Sequence, residues 1–159
     1  MQHLKVGLLH TAWADNLLFE RLAQCPEEIL GWHYADPEWP ITRIAAHIVD
    51  GVEWYKYVLT GVRWADVKHA RTIGELEPLR KQLVQMHQIF LAQLDLPDEL
   101  IEFEDENGMR KVMRSSVLNQ ICYHSTEHRA QIFVALQING YTKISADDFD
   151  VWAWEASQK

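Results

Sequence analysis

Cysteine is scarce in this 159-residue chain: Cys25 and Cys122 stand far apart, with no CxxC or CxxH pairing around either. That excludes a disulfide framework and a thiolate zinc site, and suits two reduced thiols acting as small, half-buried hydrophobes. Positive charge is also in deficit, with 15 Lys and Arg against 23 Asp and Glu and a formal net charge of −8. No basic cluster is dense enough to offset that beside a phosphate backbone, so nucleic acid is disfavoured as a partner. There is no run of eighteen apolar residues and no cationic stretch leading into an apolar one at the N-terminus. Neither a membrane span nor a secretory signal is therefore expected, and the expectation is a soluble cytoplasmic protein. Repeats, low-complexity tracts and composition shifts are absent as well, so one domain over 1–159 is expected, long enough to bury a core without a disulfide or structural metal.

What the chain has in quantity is helical periodicity. Residues 3–24 mix Leu4, Leu8, Leu9, Trp13, Leu17, Leu18, Phe19 and Leu22 with polar positions and end before Cys25-Pro26, which reads as a helix with a broad, poorly oriented apolar face. After a loop rich in aromatic and turn residues, Thr42 to Thr60 reads as a second helix stopping at Gly61, its stripe joining Ile44, His47 or Ile48, Gly51, Tyr55 and Val58. Thr72-x-x-Glu75 has the form of a capping box and opens a third helix, whose stripe of Leu76, Leu79, Leu83, Met86, Phe90 and Leu94 runs on towards Pro97. Residues 100–113 alternate around Asn107-Gly108, the pattern of a short β-hairpin. Ser115 or Ser116 can cap a fourth helix that continues to Asn139-Gly140, and the DDFDVWAWE tail can add a helical turn or two. The fold class that follows is all-α: a four-helix bundle with a small hairpin between helices 3 and 4. The long 25–40 and 61–71 connections leave room for crossovers, so an up-down-up-down order is not assumed.

Eight histidines are the chain's other resource. Stepping by three or four along the fourth helix gives Val117, Ile121, His124, His128, Ile132 and Ala135, so two imidazoles lie four apart on the apolar stripe. Rings so spaced can converge on one ion at about 2.0–2.1 Å from each nitrogen if it is zinc, and a third ligand from a facing helix would complete the set. His47, among apolar neighbours in IAAHIVDG, is the best candidate for that third ligand. A buried His–carboxylate network is the competing account of the pair, since buried rings without an ion need hydrogen-bond partners. His3, His10, His33, His69 and His87 fall near the chain start, in connections or at the Met86 side of helix three, and ordinary solvation is expected for most of them. Glu127 adjoins His128 but points about a hundred degrees away on a helix, which argues for a solvated charge over a general base. Arg129 reads as a structural ion pair or interface residue. Trp13, Asn16, Tyr55, Phe149 and Trp152 are candidate pocket residues, although aromatics at helical spacing are more often core.

Taken together, Trp13-x-x-Asn16, AAHI around His47 with Trp54 and Gly61 downstream, HSTEHRAQIFVALQINGY at 124–141 and the acidic-aromatic DDFDVW resemble the DinB/YfiT-like superfamily across nearly the whole chain. The resemblance implies a four-helix bundle, often a homodimer, with a divalent metal on His47, His124 and His128. Arg129 and Gln131 fill the positions after the second ligand of the motif. Ala130 stands where that family commonly has glycine; alanine is the better helix former and should leave the ligands undisturbed.

Three neutral imidazoles leave a coordination position open, which is the pattern of a catalytic site. A water or thiol beside a divalent ion loses its proton more readily. Relatives in the family that the chain resembles transfer low-molecular-weight thiols such as bacillithiol or mycothiol to electrophiles, or isomerise maleylpyruvate with a thiol cofactor, and others are taken as hydrolases, so the resemblance implies a thiol S-transferase or a hydrolase. The implied cofactor is therefore a divalent ion, zinc or nickel first and iron or cobalt next, with a low-molecular-weight thiol as cosubstrate and a small-molecule substrate. The alternative is a non-catalytic metal- or ligand-binding stress-response protein.

Overall fold

The computed structural model describes residues 2–159, with side chains described from Leu4 onward, so the side chain of His3 lies outside the described residues. Four long helices, α1 (Gln2–Leu22), α2 (Ile41–Thr60), α3 (Leu76–Ala92) and α4 (Arg114–Ile138), form the bundle, with a hairpin of β1 (Leu100–Asp105) and β2 (Gly108–Met113) between α3 and α4 and a short α5 (Val151–Ser157) at the end. Each apolar stripe points to a common core that includes Leu18, Phe19, Ile44, Ile48, Leu83, Phe90, Leu118 and Ile132, all fully buried. Helix α1 packs on α3 and α4, and α2 packs on α3 and α4. Consecutive helices α1 and α2 are therefore diagonal across the bundle, as are α3 and α4. The 23–40 connection makes the first crossover and the hairpin segment the second.

Local chemistry sets the helix ends. Pro40 precedes α2, and Gly61, at φ 71, ends it with its N–H on the Tyr57 carbonyl. Helix α4 closes on Gly140 at φ 80, where the N–H groups of Gly140 and Tyr141 reach back to the carbonyls of Gln137 (3.0 Å) and Leu136 (2.9 Å) in a Schellman arrangement. Three sequence expectations are corrected here. Glu75 does not cap Thr72; its carboxylate accepts the Arg71 N–H at 2.6 Å, and a 3-10 turn over Ile73–Glu75 precedes α3. Helix α4 begins at Arg114 straight out of β2, and Asp98 from the preceding loop accepts the Ser115 N–H at 2.9 Å, so neither serine is the cap. In the hairpin, Asp105 pairs with Gly108, which takes φ 100, so Glu106 and Asn107 are the central turn residues, one position earlier than Asn107-Gly108.

The 61–70 segment is pinned by a polar cluster that periodicity does not reveal. Glu53 and Lys56 are buried on α2, their ion pair 2.5 Å long. The Glu53 carboxylate also accepts from Gln82 Nε2 (2.7 Å) and the Ala65 N–H (3.1 Å), and Lys56 Nζ donates to the Arg63 carbonyl. Burial alone would push the Glu53 carboxyl up, but these donors more than offset it and hold it below the usual range. A connection with little core of its own is thereby tied to α2 and α3, next to the face that carries His47.

Candidate metal centre

Helix α2 brings His47, and α4 brings His124 and His128, to one point between the two helices. One ligand nitrogen from each ring lies within 4.8 Å of the other two. Ring centroids are 5.0 Å apart for His47 and His124, 4.6 Å for His47 and His128, and 4.4 Å for His124 and His128. Nε2 of His47 and Nε2 of His124 face each other at 3.3 Å, close to the separation of about 3.3 Å that two tetrahedral ligands on an ion about 2.0–2.1 Å away would have. His128 is oriented from behind: Nδ1 lies 2.8 Å from Gln131 Oε1. An amide oxygen only accepts, so Nδ1 carries the proton and Nε2 keeps its lone pair for a ligand. Trp39 stands edge-on to His47 at 5.2 Å and Tyr55 edge-on to His124 at 5.6 Å, closing the sides with apolar ring faces.

The electrostatics suit a cation held by neutral imidazoles. Burial first, then the neighbouring rings of His128 and His47, push His124 down to about 4. Burial and His128 also hold His47 below its usual value, with Asp50 opposing. His124 Nδ1 is buried without a hydrogen-bond partner. Rings kept neutral offer lone pairs, and an ion that takes the Nε2 lone pairs of His47 and His124 fits them; Nδ1 of His124 then keeps its proton on the side of the ring away from the ion. Gly51 is part of the same fit, because a Cβ there would lie 2.9 Å from both ring nitrogens of His124 and nearer still to its Cε1. Only a residue without a side chain lets that ring lie against α2.

A buried His–carboxylate network does exist, but it uses a different histidine. Asp15, fully buried on α1, accepts from Ser125 Oγ at 2.6 Å, from His87 Nε2 at 3.0 Å and from Arg129 Nη1. Burial alone would raise its carboxyl; the Arg129 guanidinium, then His87 and the Ser125 hydroxyl, overcome that and hold it at about 2. Arg129 is therefore a structural ion pair, and its Nη2 also donates to Thr126 Oγ1 at 3.1 Å. The expectation of ordinary solvation fails for His87, which is 2% exposed. It is the one histidine on α3, and its partner lies on another helix.

The remaining sequence candidates separate cleanly. Of the five pocket candidates, Tyr55 is the one that meets the site, edge-on to His124. Trp152 is 79% exposed, and Phe149 is buried against Phe133 with its carbonyl accepting from His10 Nε2. Asn16 bonds Glu20 and Arg80 on the far side of α1, and Trp13 lies beside His10. Glu127 is exposed, as its helical angle implies. Asp15, Ser125 and Gly51 are the site's unrecognised supports; the signal for Asp15 is a carboxylate in the middle of the stripe formed by Leu8, Thr11, Leu18 and Leu22.

The chain is similar to known proteins over most of its length. A family model described as "DinB family" matches residues 1–158. The curated relative "Protein DinB" of Bacillus subtilis (strain 168) is 24% identical over 150 residues, covering 87% of this chain and 87% of that protein. Among the described residues no helix is long and apolar enough to cross a membrane.

Proposed function

Since the chain belongs to the DinB family, we propose that it binds a divalent metal ion through His47, His124 and His128 and uses it to activate a low-molecular-weight thiol or a water for attack on a small electrophile. The observation that carries the reading is the convergence of three imidazoles from two helices on one point, with His47 and His124 held below the usual histidine range. An ion bound there supplies positive charge that lowers the pKa of a thiol or water beside it. The chain's own contribution is orientation and exclusion. Gln131 fixes the His128 tautomer, Gly51 admits the His124 ring, and Trp39 and Tyr55 keep the flanks dry. His47 lines an open cleft, which gives a small molecule a route to that ring. An all-imidazole set suits zinc or nickel, with iron and cobalt as further occupants. The same reading takes 1–159 as one domain and the protein as a homodimer, which sedimentation would test.

The direct experiment is metal analysis of untagged protein. Close to one ion per chain is expected, and near-zero content in folded protein grown with added divalent metal would defeat the assignment. A panel of bacillithiol, mycothiol, glutathione and coenzyme A against a model electrophile then separates a thiol transferase from the second reading, a non-catalytic metal-binding protein. His124→Ala should abolish any transfer found.

A further inference from the structure

Arg43, His47 and Asp50 follow one another at helical spacings of four and three, so all three lie along one face of α2. They line a cleft of about 240 Å³ together with Trp39, Val67 and His69. The guanidinium of Arg43 is held in place without being neutralised. Its carbon lies 4.4 Å from the centre of the Trp39 ring, and Nη1 donates to the Glu38 carbonyl at 2.7 Å. Among the described residues it has no carboxylate within 4.0 Å, and every other Lys or Arg lacking such a partner is exposed, whereas Arg43 is half-buried. A half-buried, pre-oriented guanidinium with free donors on the wall of a cleft is a fork for an anionic oxygen pair. His69 also borders a larger recess of about 820 Å³ lined by Lys68 and Arg71 against the single carboxylate of Glu75, a modest cationic excess on a chain of net charge −8. Asp50, one turn beyond His47, makes the opposite end of the cleft unfavourable to the same anion and so gives the site a direction.

We propose that Arg43 is a specificity-determining residue that anchors the carboxylate of a small carboxylate-bearing thiol, with the thiol end towards the three histidines. This rests on the metal reading above and names the class of molecule that the cleft selects.

The test uses the full chain loaded with cobalt(II), whose visible absorption reports both loading and thiol ligation. Wild-type protein is titrated with 3-mercaptopropionate and 2-mercaptoethanol, which differ in the carboxylate, and with propionate or inorganic phosphate as competitors. The carboxylate thiol should bind about tenfold more tightly than the neutral one, the size expected of a charge-assisted fork. Arg43→Met should bring that ratio near one while leaving 2-mercaptoethanol affinity unchanged, Arg43→Lys should keep part of it, and Asp50→Asn should raise it. An unchanged ratio in folded Arg43→Met protein, or no preference in the wild type, overturns the proposal, and so does phosphate displacing 3-mercaptopropionate better than propionate does. Should Arg43→Met fail to fold, the opposite movements of Arg43→Lys and Asp50→Asn carry the test. Failure of the metal reading is seen separately, as absence of the cobalt spectrum before any thiol is added.

Discussion

Replacing Gly51 by alanine sets two effects of similar size against each other. Gly51 lies in the interior of α2, where alanine is favoured over glycine by about 1 kcal/mol. The new Cβ would sit 2.9 Å from Nδ1 and Nε2 of His124, and ordinary contact begins at 3.4 Å. Because Cε1 lies closer still, the ring must retreat by about an ångström, against an overpacking cost of about 1–3 kcal/mol. Metal–ligand distances tolerate only about ±0.2 Å, so the retreat withdraws one of the three proposed ligands. Gly51→Ala should change the melting temperature of metal-free protein little, yet weaken ion binding by about tenfold to a hundredfold, measured by competition with a chromogenic chelator. In a His124→Ala background the clash is gone and only the helix preference is left. There Gly51→Ala should raise the melting temperature by about 2–4 °C. If the single variant binds the ion as tightly as wild type, the close approach of His124 to α2 does not constrain the site and the reasoning fails.

Three further outcomes follow from the buried networks. Asp15→Asn leaves the Arg129 guanidinium buried without its counter-charge and should cost about 3–5 kcal/mol in guanidinium chloride unfolding; a loss below 1 kcal/mol would show that the clamp contributes little. The same carboxyl governs part of the acid limb: it titrates at about 2 in the folded protein against 3.8 ordinarily, so the unfolded chain binds more protons between those values. The corresponding stability, about 2 kcal/mol, is fully present above pH 3.8 and is lost as pH falls through 2, and Asp15→Asn should flatten that limb in a series of pH-dependent melts. Gln131→Leu removes the acceptor behind His128 and should weaken ion binding about tenfold or more at unchanged melting temperature, with Gln131→Glu retaining affinity.

The phase of α4 is legible in sequence because its apolar residues and histidines share one period, Val117 to Ala135, and no polar residue other than the two histidines falls on that line. Helix α1 is harder to orient for the opposite reason. Thr11 and Asp15 occupy core positions, so the stripe is interrupted where it is most buried. His87 is misread as an edge histidine because its partner Asp15 is 72 residues away in sequence, and nothing local marks the pairing. The crossovers are legible only in part: the 25–40 connection makes one, but 61–71 joins the adjacent helices α2 and α3 and the hairpin segment makes the other, because which helix lies diagonal to which depends on the packing of all four stripes. Glu53 and Lys56 look like an ordinary exposed pair three residues apart; only the 61–70 segment folding over them makes them buried.

Helix α4 carries two ladders of the same pitch side by side. His124 and His128 face α2, while Ser125 and Arg129, each one residue later and about a hundred degrees around, face Asp15 on α1. Asp15 fixes the rotation of α4 through two residues a full turn apart, and that rotation aims both imidazoles at His47. The clamp lies in the core and consists of charge-assisted bonds among α1, α3 and α4, so it forms whether or not an ion is present. Ion binding is then not what folds this chain, unlike in a small zinc domain where ligand assembly and folding are one event. On the proposed metal reading, the energy of binding is available instead to hold a charged centre between α2 and α4, which the two helices shape without it.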